Sequence, residues 1–79
     1  MLKREELTNP DSCFNRAKDD ELVFVLLARD VAAPEAIYVW ARTRVEMGKN
    51  RWTDPQIEEA LRCAESMRDA GEARDAEKR

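Results

Sequence analysis

Leu22 to Ala28, reading Leu-Val-Phe-Val-Leu-Leu-Ala, is the longest stretch of this chain without a charged or polar side chain. Elsewhere charges recur every few positions, and 39% of the 79 residues are Asp, Glu, Lys or Arg. A domain this small has little apolar material to spare, so its main apolar run is the first candidate for the centre of the core. β-Branched residues in the run favour a strand, and periodicity alone does not decide. Two features favour a helix. Asp19, Asp20 and Glu21 stand directly before it, and acids stabilise a helix N-terminus. Nothing else in the chain reads as a strand, so a lone strand would have no partner. A helix apolar on every side is one covered on every side. The run therefore predicts a central helix with Phe24 buried.

The other elements follow from punctuation. Residues 1–11 read as a lead-in ending in the turn signal Asn9-Pro10-Asp11. Ser12 is placed to cap a short helical turn over Cys13 to Lys18. Pro34 suits the first turn of a second helix and Gly48 its C-terminal cap. Thr53, Pro55 and Gln56 form a start signal of capping-box type for a last helix. That helix carries Ile57, Ala60, Leu61, Ala64 and Met67 on one face, and Glu58 and Arg62 pair at i,i+4 on the other. Gly71 predicts the start of a frayed tail, residues 71–79. The expected fold is all-α: a compact bundle of three main helices with a short N-terminal helical turn, forming one domain over residues 12–70.

Composition narrows the functional classes. The net charge of −3 lacks the basic footprint of a nucleic-acid binder. No run approaches the roughly 20 apolar residues of a membrane helix, and the charged start has no signal-peptide character. Cys13 and Cys63 read as free thiols of a cytoplasmic protein, with a bridge between them as the alternative. The absence of histidine removes the commonest general base and transition-metal ligand. No cofactor is expected, no glycine-rich phosphate loop is present, and Cys13 lacks an activating histidine. The sequence reads as non-enzymatic.

Several residues stand out against that background. On the middle helix Ala33, Ala36, Ile37, Trp40, Thr43 and Met47 share a face at 100° per residue, and Arg44 falls among them. A guanidinium there needs a partner. The expected partners are Asp19, Asp20, Glu21 or Asp30; the alternatives are an anion site or an edge position with the head in water. Tyr38, Ala41 and Val45 form a second stripe, suited either to a second neighbouring helix or to self-association. Asn15, Asp19, Asp20 and Glu21 lie in a segment dense in short polar groups, which either cap and turn the chain or contact a ligand. Lys49, Arg51 and Trp52 place two cations and an indole on one loop. That set can grip a phosphate and stack on a base, or Trp52 can fold back as a staple near Ile57.

The segment from Asn9 to Glu21 (NPDSCFNRAKDDE), followed by Val23 to Leu26 (VFVL), Arg29-Asp30, Ala33-Pro34 and Trp40, resembles a group of small proteins of unassigned function encoded by bacteriophages and prophages. The likeness covers about residues 9 to 67. It implies a phage accessory protein made in the bacterial cytoplasm. Such proteins often block host defences by sealing a host protein or sequestering a nucleotide signal, an analogy of lifestyle and not of residues. Two expectations follow. One is an interaction protein that binds a host or phage protein. The other is a homo-oligomer that builds pockets for an anionic nucleotide from Arg44, Lys49, Arg51 and the Asn15 to Glu21 segment.

Overall fold

The computed structural model describes residues 1–77. It is all-α, with no strand among the described residues. Helix α1 spans Lys3–Thr8, α2 Cys13–Arg16, α3 Ala33–Glu46 and α4 Pro55–Glu77. Helices α3 and α4 pack as a hairpin, α1 packs on α2, and the two pairs make no close helix-to-helix approach. The hairpin is antiparallel. Arg68 of α4 lies 5.0 Å over the Tyr38 ring of α3, and Arg74 near the far end of α4 reaches Ala28, just before α3.

The α3–α4 seam is built from small residues. Ala33, Ala41, Ile57 and Ala64 are fully buried, and Ile57 is the large side chain among them. Alanines let two helix backbones approach closely, which brings Ile57 into the seam. The α4 face matches the sequence reading: Ala60, Leu61 and Met67 are half-buried beside Ile57 and Ala64. The phase of α3 does not. Trp40, Thr43, Ala36 and Met47 are exposed, while Ile37, Tyr38, Arg44 and Val45 are half-buried around Ala41. The stripe Tyr38, Ala41, Val45 is thus the packed seam of this hairpin. With Ala41 at zero exposure, it is not an outer surface left for self-association.

The larger departure is Leu22 to Ala28. Residues 22–27 are neither helix nor strand, and Leu22 is 99% and Phe24 87% exposed. The expected central helix is absent. Val23 and Val25 are stiff and Phe24 lowers helix propensity, and so short a helix without packing does not sustain itself. The acids before it do not cap a helix. Glu21 turns back instead, its carboxylate accepting the Lys18 N–H at 3.0 Å. What remains is an open molecule. Its accessible surface is 6767 Å², against about 4,900 Å² for a globular protein of this mass.

The N-terminal pair is held by polar groups. Helix α1 forms inside the expected lead-in, with the Glu5 carboxylate accepting the Leu2 N–H. Ser12 caps α2 as expected, accepting from Asn15 N–H at 3.1 Å, and its hydroxyl donates to Glu6 O at 2.6 Å. Helix α4 runs through Gly71 to Glu77, so the helix does not end where glycine suggested; residues 78–79 of the expected tail lie outside the described residues.

Candidate interaction surface

The hairpin loop shows what became of the cationic candidates. Gly48 has φ 73°, the left-handed conformation that ends a helix. Its N–H donates to Val45 O and the Lys49 N–H to Arg44 O, both at 3.0 Å, a complete Schellman closure. Arg44 then turns its side chain onto the same loop: Nε donates to Asn50 Oδ1 at 2.7 Å. Asn50 Nδ2 donates onward to Asp54 Oδ2 at 3.0 Å and to Gln56 Oε1 at 3.3 Å. Asp54 also accepts the Arg51 N–H at 3.0 Å. Arg51 N–H, then the Asn50 amide, and the Arg51 charge hold the Asp54 carboxyl below its ordinary pKa of 3.8.

Arg44 therefore does not pair with an acid of the N-terminal half. Among the described residues no carboxylate lies within ion-pair distance of it; the ion pairs there are Arg42 with Glu46 and Arg62 with Glu58, both exposed and at 4.0 Å. The reason is geometric. Arg44 stands in the last turn of α3, where the returning loop brings Asn50 within reach. The capping box expected at Thr53 is likewise replaced. Asp54 precedes Pro55, its carbonyl accepts from Ile57 and Glu58 N–H, and Gln56 faces Asn50. Lys49 and Arg51 are exposed, and Trp52 is 50% exposed.

The acidic candidates lie elsewhere. The Asn15 amide is spent on closing α1: Nδ2 donates to the carbonyls of Glu6, Leu7 and Asn9 at 2.8, 3.1 and 2.9 Å. Asp19 and Asp20 are exposed. No hydrogen bond or ion pair among the described residues joins Asn15, Asp19, Asp20 or Glu21 to Arg44, Lys49, Arg51 or Trp52. One copy of the chain does not assemble the composite anion pocket.

What the structure does gather is apolar surface. From Leu22 to Val31 the chain exposes Leu22, Val23, Phe24, Val25, Leu27 and Val31, the last at 92%. Its backbone is open as well. Among the described residues, the N–H groups from Leu22 to Arg29 make no intramolecular hydrogen bond, and neither do the carbonyls from Leu22 to Leu26. The ends are fixed. Lys18 and Glu21 close a turn on one side; on the other, Asp30 N–H donates to Leu27 O, and Arg74 Nη2 donates to Ala28 O at 3.2 Å. Shallow grooves flank Ala28, one lined by Met1, Leu2, Cys63 and Met67, the other by Pro34, Arg68 and Arg74. Cys13 and Cys63 are unbridged.

Sequence reasoning found this segment but placed it inside the molecule. It passed over Asn50, Asp54 and Arg74; the spacing of Asn50 and Asp54 ahead of Pro55 was the available signal for the first two. Compared with protein-family models, curated proteins and solved structures, the chain matches none. No helix among the described residues is long and apolar enough to cross a membrane.

Proposed function

We propose that this chain is a non-enzymatic accessory protein that acts by binding a protein partner, with the Leu22 to Val31 segment as its docking element. The observation that carries the reading is the coincidence, among the described residues, of exposed large apolar side chains with backbone groups that make no intramolecular hydrogen bond on one continuous segment. An exposed apolar patch of this kind marks an interaction site. Open N–H and C=O groups suit addition to the sheet edge of another protein, where main-chain hydrogen bonds supply affinity and alternate side chains supply specificity. The resemblance to phage-encoded proteins adds the setting: the bacterial cytoplasm, and a host-defence protein as the partner.

The test is native mass spectrometry of the tagged chain recovered from host lysate, beside Phe24→Asp. A co-purifying protein lost in the variant supports the reading. A co-purifying nucleotide that is retained in Phe24→Asp and lost in a Lys49→Ala, Arg51→Ala double variant would replace it with the sequestering alternative. That alternative draws support from the exposed Lys49 and Arg51 beside Trp52, but Arg44 is already engaged by Asn50.

A further inference from the structure

We propose that the Phe24–Val25 peptide bond is a processing site of the free chain, hydrolysed by an endopeptidase that seats an apolar side chain on the carbonyl side of the cut. This goes beyond the docking reading and does not depend on what the Leu22 to Val31 segment docks.

An endopeptidase takes its substrate as an extended strand, aligned by main-chain hydrogen bonds of the strand-addition kind. Backbone already bonded within the fold must open first, and cleavage there follows the fraction of time that it stands open. Among the described residues, Leu22 to Leu26 keep both their N–H and C=O groups without an intramolecular partner. Phe24 is the middle residue of that stretch. Its side chain is 87% exposed, and Val25 beyond the scissile bond is exposed too.

The hydrogen bonds at the two ends select the specificity. Lys18 and Arg29 are the basic residues nearest the stretch, and both lie in closed turns. The Lys18 carbonyl accepts the Glu21 N–H at 3.0 Å, and the Lys18 N–H is taken by the Glu21 carboxylate. The amide of the Arg29–Asp30 bond donates to Leu27 O at 3.0 Å, and Arg74 holds the Ala28 carbonyl. A protease specific for basic residues therefore finds these bonds engaged, whereas the open stretch offers it no basic side chain. The other aromatic residues are placed less well. Tyr38 and Trp40 lie inside α3 and Phe14 inside α2. Trp52 is half exposed, but Arg51 and Asp54 bond to each other across it.

The chemistry needs water alone as co-reactant. Its oxygen bonds to the Phe24 carbonyl carbon, the bond to the Val25 nitrogen breaks, and that nitrogen takes the proton. A carboxylate on Phe24 and an ammonium on Val25 then interrupt the apolar run. The cut also divides the molecule. Among the described residues no hydrogen bond or ion pair links residues 1–24 to residues 25–77, and neither α1 nor α2 packs on α3 or α4. The α3–α4 hairpin keeps its contacts, including that of Arg74 with Ala28.

The experiment is limited digestion of the full chain with chymotrypsin and, in parallel, with trypsin, followed by intact mass spectrometry. Chymotrypsin should first give the complementary pieces 1–24 and 25–79, at a rate about tenfold or more above any cut within α3 or α4. Trypsin should leave the Lys18–Asp19 and Arg29–Asp30 bonds whole over that interval. Phe24→Asp sets a charge against an apolar pocket and should slow formation of the 1–24 piece about tenfold or more. Gly48→Ala tests the route, because it weakens the hairpin without touching the stretch. Its rate at Phe24 should stay within about twofold, whereas a cut that passes through unfolding would quicken about fivefold with the lost stability. A first chymotryptic cut at Phe14, Tyr38, Trp40 or Trp52, an Arg29 cut as fast as that at Phe24, a rate unmoved in Phe24→Asp, or that acceleration in Gly48→Ala overturns the proposal. The two readings fail separately. A resistant Phe24–Val25 bond with partner capture lost in Phe24→Asp removes the processing site and keeps the docking element; rapid cleavage with capture unchanged in that variant does the reverse.

Discussion

Arg44 holds Asn50 twice: its Nε donates to Asn50 Oδ1 at 2.7 Å, and its main-chain carbonyl accepts the Asn50 N–H at 3.3 Å. Through Asn50 the end of α3 is tied to Asp54 and Gln56 at the start of α4. The angle of the hairpin thus depends on one neutral amide rather than on an ion pair. Asn50→Ala should cost about 1–2 kcal/mol in chemical unfolding, since several partly exposed hydrogen bonds are lost at ~0.5–1.5 kcal/mol each. Asn50→Asp keeps an acceptor for Arg44 but removes both Nδ2 donors and sets a second carboxylate against Asp54. It should therefore raise the Asp54 pKa from its lowered position, which carboxylate titration by NMR would read, and an unmoved Asp54 would contradict the geometry.

Asp54 sets the acid limit of the same loop. Its folded pKa is lowered, so the unfolded chain takes up the proton first as pH falls. Its contribution is fully present above the unfolded carboxylate value and is lost as pH drops through the folded one. Stability attributable to Asp54 should be flat from neutral pH to about 5 and should decline below about 4. Asp54→Asn should flatten that decline in urea titrations at stepped pH.

Gly48 is needed for its backbone. At φ 73° an added Cβ meets no neighbouring atom, so space is not the obstacle. The left-handed conformation costs an L-residue roughly 1–2 kcal/mol. Gly48→Ala should lower stability by about 1 kcal/mol, and Gly48→Asn by less, since asparagine tolerates this region. Equal losses for the two would point to a steric cause instead.

Ile57 and Phe24 give opposite expectations. Ile57 is fully buried between the helices, and Ile57→Ala should cost about 2–5 kcal/mol, enough to unfold so thin a core. Phe24 is 87% exposed, and Phe24→Ala should change the stability of the isolated chain by no more than about 0.5 kcal/mol. The sequence reading, with Phe24 in a central helix, demanded a loss of about 3–5 kcal/mol there. Thermal melts of the two variants separate these cases.

The contrast shows which parts of the fold could be read in advance. Pro34, Gly48 and Pro55 mark chain geometry that is local, so both limits of α3 and the start of α4 were legible to within a few residues; the end of α4 was not, since the helix runs through Gly71 to Glu77. The buried face of α4 was legible because Ile57, Leu61 and Ala64 repeat at helical spacing with charges opposite. The phase of α3 was not. Ala33 was on the expected face and is buried, but hydrophobicity ranks Trp40 and Met47 above Ala41, whereas close helix packing selects the alanine. The run at Leu22 was misplaced for a different reason. Apolar composition says that a surface wants to be covered, and it does not say whether the cover belongs to the same chain. Of the candidate site, Arg44 was singled out as a group needing a partner and Asn15 as one that caps or turns the chain or contacts a ligand; their partners are an amide and three carbonyls that only the fold brings near them.

Arg74 reaches Ala28 from near the far end of α4, and that single bond bears on how tightly the exposed segment can bind anything. Ordering a free backbone costs about 1–2 kcal/mol per residue, and a loose apolar loop would forfeit much of its contact energy to that cost. Here the Lys18–Glu21 turn holds one end and Arg74 holds the other, so the segment is a short span between fixed posts. The part of the docking entropy that comes from closing the span is already lost before a partner arrives. A side chain that touches no partner thereby acts on affinity, through the slack it takes out of the span.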